Sequence, residues 1–481
     1  MAEEKRGEIN RRDVLKSGAA AAALTGITFI TKPERVFGAN DRVRIATCGV
    51  HGRGKNHITS FSKNPNSTIA AIVDPDDNVA ANCQKWMEGQ NFPKAEAFRD
   101  VRKVLADKNI DAISIAAPNH WHSLLAIWAL QAGKDVYCEK PVSHNHWEGW
   151  QVVQASRKYD KQIIVHGSQS RAAVAINEAV DNMRSGLIGE VYMARGLCFK
   201  WRDTILKKGP SPVPAGVDYD LWTGPAPMKP FTENRFHYNW HWIWDTGNGD
   251  IGNQGIHELD KARWGLGVDY PVKVSAIGGH FMFDDDQETP NTLTASFEFE
   301  KDGKKKMLVF EVRHWLTNNE VSAVGEQEAY VGANGEVSDA KRPPRPAATD
   351  KSGAPRGPRQ HDTIANEYYG SKGYLAITNY NAYKSYLGPS HEPGPEKHVE
   401  DGDNNFKNFV EVVRSRKHED IKAPIEEGHK SCTLIHLANA SYRLGRTINF
   451  DPATQKVKGD SEAQALLNGS YRKGYEVPAK V

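Results

Sequence analysis

The sequence predicts a doubly wound parallel α/β domain followed by an α+β domain with a large, mostly antiparallel sheet. From Asp41 to Ser168, short β-branched runs alternate with helical stretches, the pattern of parallel strands joined by helices. After Arg171 the runs become longer and richer in β-formers, which favours antiparallel neighbours. A chain of 481 residues also exceeds what one hydrophobic core usually organises.

These patterns divide the chain into four segments. We expect a leader at 1–39, the parallel domain at 40–168, the second domain at 169–450 and a polar tail at 451–481. The predicted strands of the parallel domain lie at 43–49, 68–74, 110–118, 135–141 and 162–168. Those of the second domain lie at 190–201, 272–283, 293–300, 305–315 and 321–332. A Pro/Gly-rich basic stretch at 341–358 predicts a surface loop, and helices are predicted at 404–417 and 431–446.

The leader predicts export. Its apolar stretch from Gly18 to Ile30 is shorter than the roughly 20 residues that cross a bilayer, but it suits a signal-peptide core. The preceding pair Arg11 and Arg12 is typical of twin-arginine signals, so the Tat export machinery is an expected partner. We therefore predict a periplasmic or otherwise exported protein without stable membrane insertion. An uncleaved basic helix is the alternative.

A glycine-rich turn, GVHGRG, ends the first predicted strand and opens a helix, as the dinucleotide-binding Rossmann fingerprint does. Asp74 ends the second strand, where a carboxylate binds a ribose 2′-hydroxyl and repels a 2′-phosphate, which favours NAD over NADP. His51 stands where the fingerprint has its second glycine, so the close backbone approach to the pyrophosphate is expected either one residue later or slightly looser. The predicted ligands from this turn are Gly49, His51, Gly52, Arg53 and Gly54.

Two further motifs follow later strands, PNHWH at 118–122 and EKP at 139–141. With the glycine turn, they resemble the Gfo/Idh/MocA family, named for glucose-fructose oxidoreductase and inositol dehydrogenase, and the resemblance extends from about 43 to 446. It implies that Lys140 touches both the nicotinamide ribose and the substrate. It also implies a set of residues on the cofactor side, namely Pro118, Asn119, His122 and Glu139.

A second signature of that family, DxGxH, is matched by NQGIH at 253–257. The resemblance therefore implies a catalytic role for His257. Asn253 stands where the family often has Asp, and an amide cannot take up a proton at neutral pH. We expect Lys140 and His257 to share the acid/base work of alcohol oxidation, with Asn253 orienting a substrate hydroxyl.

An aromatic and polar stretch at 235–250 is suited to a sugar, because rings stack on its apolar face while polar groups bind its hydroxyls. We predict His241 and Trp244 as pocket residues; packing beneath the sheet is the alternative for each tryptophan. Arg171 follows the last parallel strand and is predicted either to anchor a substrate group or to cap structure.

Composition disfavours several classes of protein. The 62 Lys and Arg nearly balance the 60 Asp and Glu, which argues against nucleic acid as a partner. The 5 scattered cysteines form no CxxC motif, and Cys48 and Cys138 fit buried strand positions. Two HxH pairs, at 120–122 and 144–146, raise the possibility of a metal site, but they fall at strand-to-helix junctions where the two side chains do not align.

The leading functional hypothesis is an exported oxidoreductase that retains its NAD and acts on a secondary hydroxyl of a sugar, polyol or glycoside. Retention is expected because free NAD is scarce outside the cytoplasm. The alternative is a redox-neutral NAD-dependent glycosidase that oxidises a ring hydroxyl, eliminates the glycosidic bond and returns the hydride. A non-catalytic sugar sensor ranks last because Lys140 and His257 are both present. The family resemblance further implies a homo-oligomer.

Overall fold

The structure, a computed structural model, describes residues 41–315 and 363–481 and the backbones of 330–331 and 337–338. Its first sheet has six parallel strands in the order β3-β2-β1-β4-β5-β6. These strands are β1 Val43–Cys48, β2 Ser67–Val73, β3 Glu96–Phe98, β4 Ala112–Ile115, β5 Asp135–Cys138 and β6 Ile164–His166. Strands β1, β4 and β5 are apolar and buried on both faces because helices cover the sheet. The doubly wound prediction is confirmed.

Five helices connect these strands: α1 Arg53–Lys63, α2 Asp77–Gly89, α3 Val101–Leu105, α4 Asn119–Gln131 and α5 His146–Lys158. Three begin at capping side chains, since Asp76, Asp100 and Asn145 each accept a backbone N–H of the first turn. The strand order reverses between β1 and β4. The carboxyl ends of these two strands therefore open a crevice, the usual ligand position in such sheets.

The second sheet has eleven strands in the order β16-β15-β14-β13-β7-β10-β9-β8-β18-β19, with β17 paired to β15. They are β7 Val191–Phe199, β8 Lys273–Gly279, β9 Thr292–Lys301, β10 Lys304–Arg313, β13 Thr363–Gly370, β14 Gly373–Ile377, β15 Ala382–Leu387, β16 Glu392–Pro393, β17 Lys397–His398, β18 Ile448–Asp451 and β19 Lys456–Val457. Only β7 and β10 pair in parallel among the described strands of this sheet. The mostly antiparallel prediction is confirmed.

Seven helices complete the described fold: α6 Val174–Arg184, α7 Tyr219–Thr223, α8 Gly249–Asn253, α9 Gly255–Leu266, α10 Asn404–Ser415, α11 Ile425–Leu444 and α12 Ser461–Asn468. Helix α9 packs on the large sheet through two glycines, with Gly255 against Phe310 and Gly265 against Tyr368. Helix α11 contacts both α5 of the first sheet and β8 of the second. Residues 42–481 therefore form one compact unit. No helix in the described ranges is long and apolar enough to span a bilayer.

Some sequence predictions lie partly or wholly outside the described residues. These are the leader, the loop at 341–358 and the strand at 321–332, of which only Tyr330–Val331 is described, as β11 paired with β12 at Val337–Ser338. All five cysteines are described, and each is a buried thiol without a disulfide partner, as expected for Cys48 and Cys138.

Arg171 is a structural residue in this fold. Its guanidinium donates to both carboxylate oxygens of Asp260, at 2.9 and 2.7 Å, and the two side chains are 5% and 1% exposed. The same guanidinium lies 3.4 Å from Glu427 and over the ring of Trp264. Two of its three nitrogens, Nε and Nη2, donate to these carboxylates, which favours the structural alternative that the sequence left open.

We expect Arg171→Ala to lower the free energy of unfolding by about 3–5 kcal/mol, because it leaves the Asp260 carboxylate buried without its main partner. Arg157→Ala is the matched control: Arg157 pairs with Glu426 at the surface, where such pairs contribute about 0–1 kcal/mol. Urea unfolding of both variants measures the difference. Equal losses in the two variants would contradict the structural role of Arg171.

Candidate active site

A cavity of about 430 Å³ occupies the crevice at the carboxyl ends of β1, β4 and β5. Helices α8 and α9, a long connection between β7 and α8, and Tyr380 of the large sheet close its other sides. Most of the sequence-predicted site residues line it, namely Gly49, His51, Gly52, Arg53, Asp74, Pro118, Asn119, His122, Glu139, Lys140, His241, Asn253 and His257. Residues from two distant parts of the chain therefore meet here.

Three predicted site residues lie elsewhere. Gly54 sits beneath the glycine turn, Arg171 is buried against Asp260, and Trp244 lines a different cavity. Trp244 does not reach the first cavity because its ring lies beside Arg443, at 5.0 Å, and Tyr442 of α11. The neighbouring His241 does reach it, stacked on Trp240 with ring centroids 3.5 Å apart.

The glycine turn is tightly packed except at Gly52. Gly49 has φ +82°, and a Cβ there would lie 2.7 Å from the carbonyl oxygen of Ala116 on the neighbouring strand. A Cβ on Gly54 would lie 2.0 Å from the carbonyl oxygen of Gly49. No described side chain caps α1 at Gly52, and no described atom lies within 4 Å of a Cβ built there. The first turn of α1 thus offers backbone N–H groups to an anion.

Asp74 closes the same end of the cavity. Its Oδ2 accepts the backbone N–H of Val50 at 3.0 Å, and its Oδ1 accepts that of Asp76 at 3.1 Å. Burial raises the pKa of Asp74 to about 6, because its effect outweighs that of the two backbone hydrogen bonds, which lower this pKa. The carboxylate is therefore fixed in orientation at the tip of β2.

Glu139 joins the glycine turn to the EKP motif. Its Oε1 accepts from Arg53 Nε at 2.7 Å and lies 3.0 Å from His57 Nε2, and its Oε2 accepts the backbone N–H of Lys140. The other ring nitrogen of His57 lies 2.5 Å from Ser114 Oγ on β4. Burial raises the pKa of Glu139, but the Arg53 charge and the His57 hydrogen bond outweigh it and hold this pKa well below its usual range. Glu139 is therefore an ionised, fully partnered carboxylate.

Lys140 is held by the helix that carries the second signature. Its Nζ donates to the carbonyl oxygen of Asn253 at 2.8 Å. The Asn253 amide donates to Asp250 at 3.1 Å, and Asp250 is bound by Arg202 at 3.0 Å and His314 at 2.9 Å. Burial lowers the pKa of Lys140, as does the charge of Arg53, whereas nearby carboxylates raise it.

His257 lines the same cavity as Lys140. Burial holds the pKa of His257 well below its usual value, and the charge of Lys140 lowers it further. The ring of Tyr380 packs against it edge-on at 5.1 Å, and the Tyr380 hydroxyl contacts the amide nitrogen of Gln254. His257 is therefore a neutral imidazole near pH 7, able to accept a proton.

The PNHWH histidines bind backbone carbonyls. His122 has its ring nitrogens 2.6 Å from the carbonyl oxygen of Pro141 and 2.7 Å from that of Ala117, which ties this motif to EKP. His120 faces the carbonyl oxygens of Trp222 and Thr246, and His144 faces that of Trp244. Within the described ranges, no group of three or more His, Cys, Asp or Glu side chains is arranged to hold a metal ion.

The segment at 214–241 is here called the cover segment; sequence reasoning predicted its last residues, 235–241, as part of the pocket and missed the rest. At one end it is bound to the loop after β2, where Asp77 N donates to the carbonyl oxygen of Gly216 and Asp218 N to that of Pro75. Further along, His237 stacks on His51 of the glycine turn, with ring centroids 4.5 Å apart, and lies 3.0 Å from Asp76. The cover segment lines the cavity with Leu221, Trp222, His237, Tyr238, Trp240 and His241.

Comparison with protein families identifies both halves of this arrangement. Residues 43–166 match the oxidoreductase family with an NAD-binding Rossmann fold, and residues 173–298 and 367–477 match its C-terminal α/β domain. The chain belongs to the Gfo/Idh/MocA oxidoreductase family. Residues 8–28 match a twin-arginine translocation signal, which confirms the predicted export route.

The alignments with individual relatives cover a smaller part of this Gfo/Idh/MocA protein than the family matches do. Inositol 2-dehydrogenase of Corynebacterium glutamicum (strain R) is 31% identical over 156 residues, 32% of this chain and 45% of that protein. A glycosyl hydrolase family 109 protein of Shewanella pealeana is 26% identical over 204 residues, 38% of this chain and 44% of that protein. The chain thus spans less than half the length of these curated relatives.

Solved structures show the same fold at lower identity. The aldose-aldose oxidoreductase of Caulobacter crescentus, complexed with glycerol, has a TM-score of 0.59 at 16% identity and covers 85% of this chain and 100% of its own. The WlbA dehydrogenase of Bordetella pertussis, in complex with NADH and UDP-GlcNAcA, has a TM-score of 0.58 at 18% identity and covers 85% and 99%. At these identities the likeness establishes the fold alone.

We expect Gly54→Ala to abolish nucleotide binding and to lower the free energy of unfolding by about 1–3 kcal/mol, because the added methyl group cannot fit beside the Gly49 carbonyl. Gly89→Ala, in the last turn of α2 with no described atom within 4 Å of the new Cβ, is the control and should preserve both properties. Nucleotide titration and urea unfolding measure the two effects. Normal nucleotide affinity in Gly54→Ala would show that the turn has been misinterpreted.

Proposed function

We propose that the protein is an exported NAD-dependent oxidoreductase that acts on a secondary hydroxyl of a sugar, polyol or glycoside and retains its cofactor. The observation that carries the proposal is that Lys140 and His257, from different halves of the chain, line one cavity with the glycine turn. Family membership supports oxidoreductase chemistry, and the family 109 and inositol dehydrogenase relatives support a hydroxylated substrate.

The residues at the end of the cavity formed by the glycine turn and Asp74 fit a dinucleotide. The uncapped start of α1 suits a pyrophosphate, and the Asp74 carboxylate suits a ribose 2′-hydroxyl. A 2′-phosphate would meet the negative charge of Asp74, so we infer NAD rather than NADP. The Glu139 carboxylate neutralises the Arg53 guanidinium, so Arg53 contributes little net positive charge for binding the 2′-phosphate of NADP.

At the other end, the protein's own groups would move one proton. Bound NAD would accept the hydride from the substrate carbon. The neutral His257 imidazole would take the hydroxyl proton, while Lys140 Nζ, held by the Asn253 carbonyl, would bind the same substrate oxygen. Asn253 donates its amide N–H to Asp250, so its side-chain oxygen is left to accept a neighbouring substrate hydroxyl.

The cover segment supports cofactor retention. It lies along the cavity from the Asp74 end, where Asp218 and Gly216 bond the loop after β2, to the catalytic end at His241. We infer that the His51–His237 stack, which joins the cover segment to the glycine turn, slows the departure of a bound dinucleotide. Such retention suits an exported enzyme that recycles its cofactor between an oxidised and a reduced substrate.

The second candidate function is a redox-neutral glycosidase, which the family 109 relatives favour. It would use the same Lys140 and His257. The two candidates differ in products: the oxidoreductase accumulates a keto-sugar, whereas the glycosidase releases a sugar without net change in the cofactor.

The experiment that tests the proposal uses the purified exported protein. Mass spectrometry of the released nucleotide should identify NAD. Incubation of the holoprotein with a panel of sugars and glycosides should yield keto-sugar and reduced cofactor. Sugar release with unchanged NAD would replace the oxidoreductase with the glycosidase, and an absence of bound nucleotide would overturn both.

We expect Lys140→Ala to lower kcat by about 10²–10⁴-fold, because the group that binds the reacting oxygen is lost. The nucleotide should stay bound, because the glycine turn is unchanged. Stopped-flow reduction of bound NAD measures the rate. Lys108→Ala, an exposed lysine after α3, is the control and should be unchanged.

The pH profile of the same variant gives a second readout. Since the charge of Lys140 contributes to lowering the pKa of His257, its removal should move the acid limb of the residual activity to higher pH. In the wild type this limb should lie below pH 6.5, the ordinary histidine value. An acid limb that does not move in Lys140→Ala would argue against His257 as the base.

We expect His237→Ala to speed nucleotide dissociation about tenfold, or about 1.4 kcal/mol, because it removes both the stack on His51 and the contact with Asp76. Release of the reduced nucleotide can be followed by its fluorescence after dilution. His418→Ala, at an exposed position outside the cavity lining, serves as the control. An unchanged dissociation rate would mean that the cover segment does not limit release.

A further inference from the structure

A second cavity, of about 420 Å³, lies between the start of α5, the C-terminal half of α11 and the chain around α12. About half of its wall surface is polar, a larger share than in the first cavity. The residues that matter for its chemistry are Glu148, Trp244, Asn439, Arg443 and Tyr471. None of them lines the first cavity.

The wall between the two cavities is a hydrogen-bonded layer. Asn119, which lines the first cavity, donates to the side-chain oxygen of Asn248 at 3.2 Å. Asn248, which lines the second, donates to the carbonyl oxygen of His144 at 2.9 Å. A ligand in the second cavity would therefore be separate from any dinucleotide or substrate in the first.

The acidic groups of the second cavity already have partners. Glu148 accepts from Ser123 Oγ at 3.2 Å, from Asn145 Nδ2 at 3.1 Å, from the Tyr471 hydroxyl at 3.1 Å and from the backbone N–H of His144. Asp245 is paired with Lys229. Glu148 is therefore not left to bind a cationic ligand, and Lys229 balances the charge of Asp245.

Two polar groups of α11 lack such partners. The Arg443 guanidinium lies over the Trp244 ring and is attracted by the charges of Glu288 and Asp245, but no hydrogen bond or close ion pair joins it to the described residues. Asn439 is 6% exposed and donates to the carbonyl oxygen of Asn248, but its side-chain oxygen has no hydrogen-bond partner in the described part of the chain. A buried acceptor without a partner is costly, and a bound ligand can satisfy it.

We propose that the second cavity binds a small hydroxylated carboxylate of the sugar-acid class. Arg443 matches a carboxylate, since a guanidinium can donate two parallel hydrogen bonds to it. The unpartnered oxygen of Asn439 accepts from a ligand hydroxyl, and Trp244 offers an apolar wall to a ring. The cavity volume lies within the range of small-molecule sites.

Isothermal titration of the NAD-saturated protein tests this site, with D-glucuronate as the probe and D-glucose as its neutral counterpart. The two differ only at the terminal carbon, which isolates the carboxylate. We expect glucuronate to bind and glucose to bind at least tenfold more weakly at this site. Arg443→Gln should weaken glucuronate binding at least tenfold, whereas Arg184→Gln, an exposed arginine of α6, should not.

Two further variants separate this site from the first cavity. Lys140→Ala should leave glucuronate binding intact, and Asn439→Asp should weaken it, because a carboxylate would then face the ligand. Loss in Lys140→Ala with retention in Arg443→Gln would place the binding in the first cavity and overturn the proposal. Absence of glucuronate binding to the wild-type protein would overturn it as well, and thermal unfolding confirms that each variant is folded.

Discussion

The site depends on the contacts that hold the buried, ionised Glu139 carboxylate between Arg53 and His57. Removing a carboxylate from water costs several kcal/mol unless cations and hydrogen-bond donors replace the solvent. Here the compensating groups come from α1, so the same bonds that stabilise the charge fix the glycine turn to the end of β5. Gly167 makes room for this carboxylate, because a Cβ there would lie 2.9 Å from Glu139 Cδ.

Much of the site could be predicted because the carboxyl ends of parallel strands lie at the same edge of the sheet. GVHGRG, PNHWH and EKP each follow a strand, so their proximity followed from the topology alone. The second signature could be assigned to the same cavity only through the family resemblance. Its position depends on long-range contacts, chiefly the bond from Lys140 to the Asn253 carbonyl, which spacing in the sequence does not reveal.

Other features could not be predicted for physical reasons. Arg171 and Trp244 were ambiguous, because an arginine or tryptophan beside a strand end can serve a ligand or the core, and only their partners Asp260 and Arg443 decide. Most of the cover segment could not be predicted, because its position depends on backbone hydrogen bonds to the loop after β2, which is distant in the sequence. Strands β13 and β14 did carry a signal, the two-residue turn between Gly370 and Gly373, which was overlooked.

The burial of every cysteine has a consequence for a protein sent out of the cytoplasm. Burial raises the pKa of the Cys48 and Cys432 thiols to about 12 and that of Cys83 to about 11, so they carry almost no thiolate. Thiolate is the species that attacks oxidants and disulfides. The folded enzyme can therefore enter an oxidising compartment with reduced sulfur atoms and without needing a disulfide isomerase, which suits a route that carries proteins already folded.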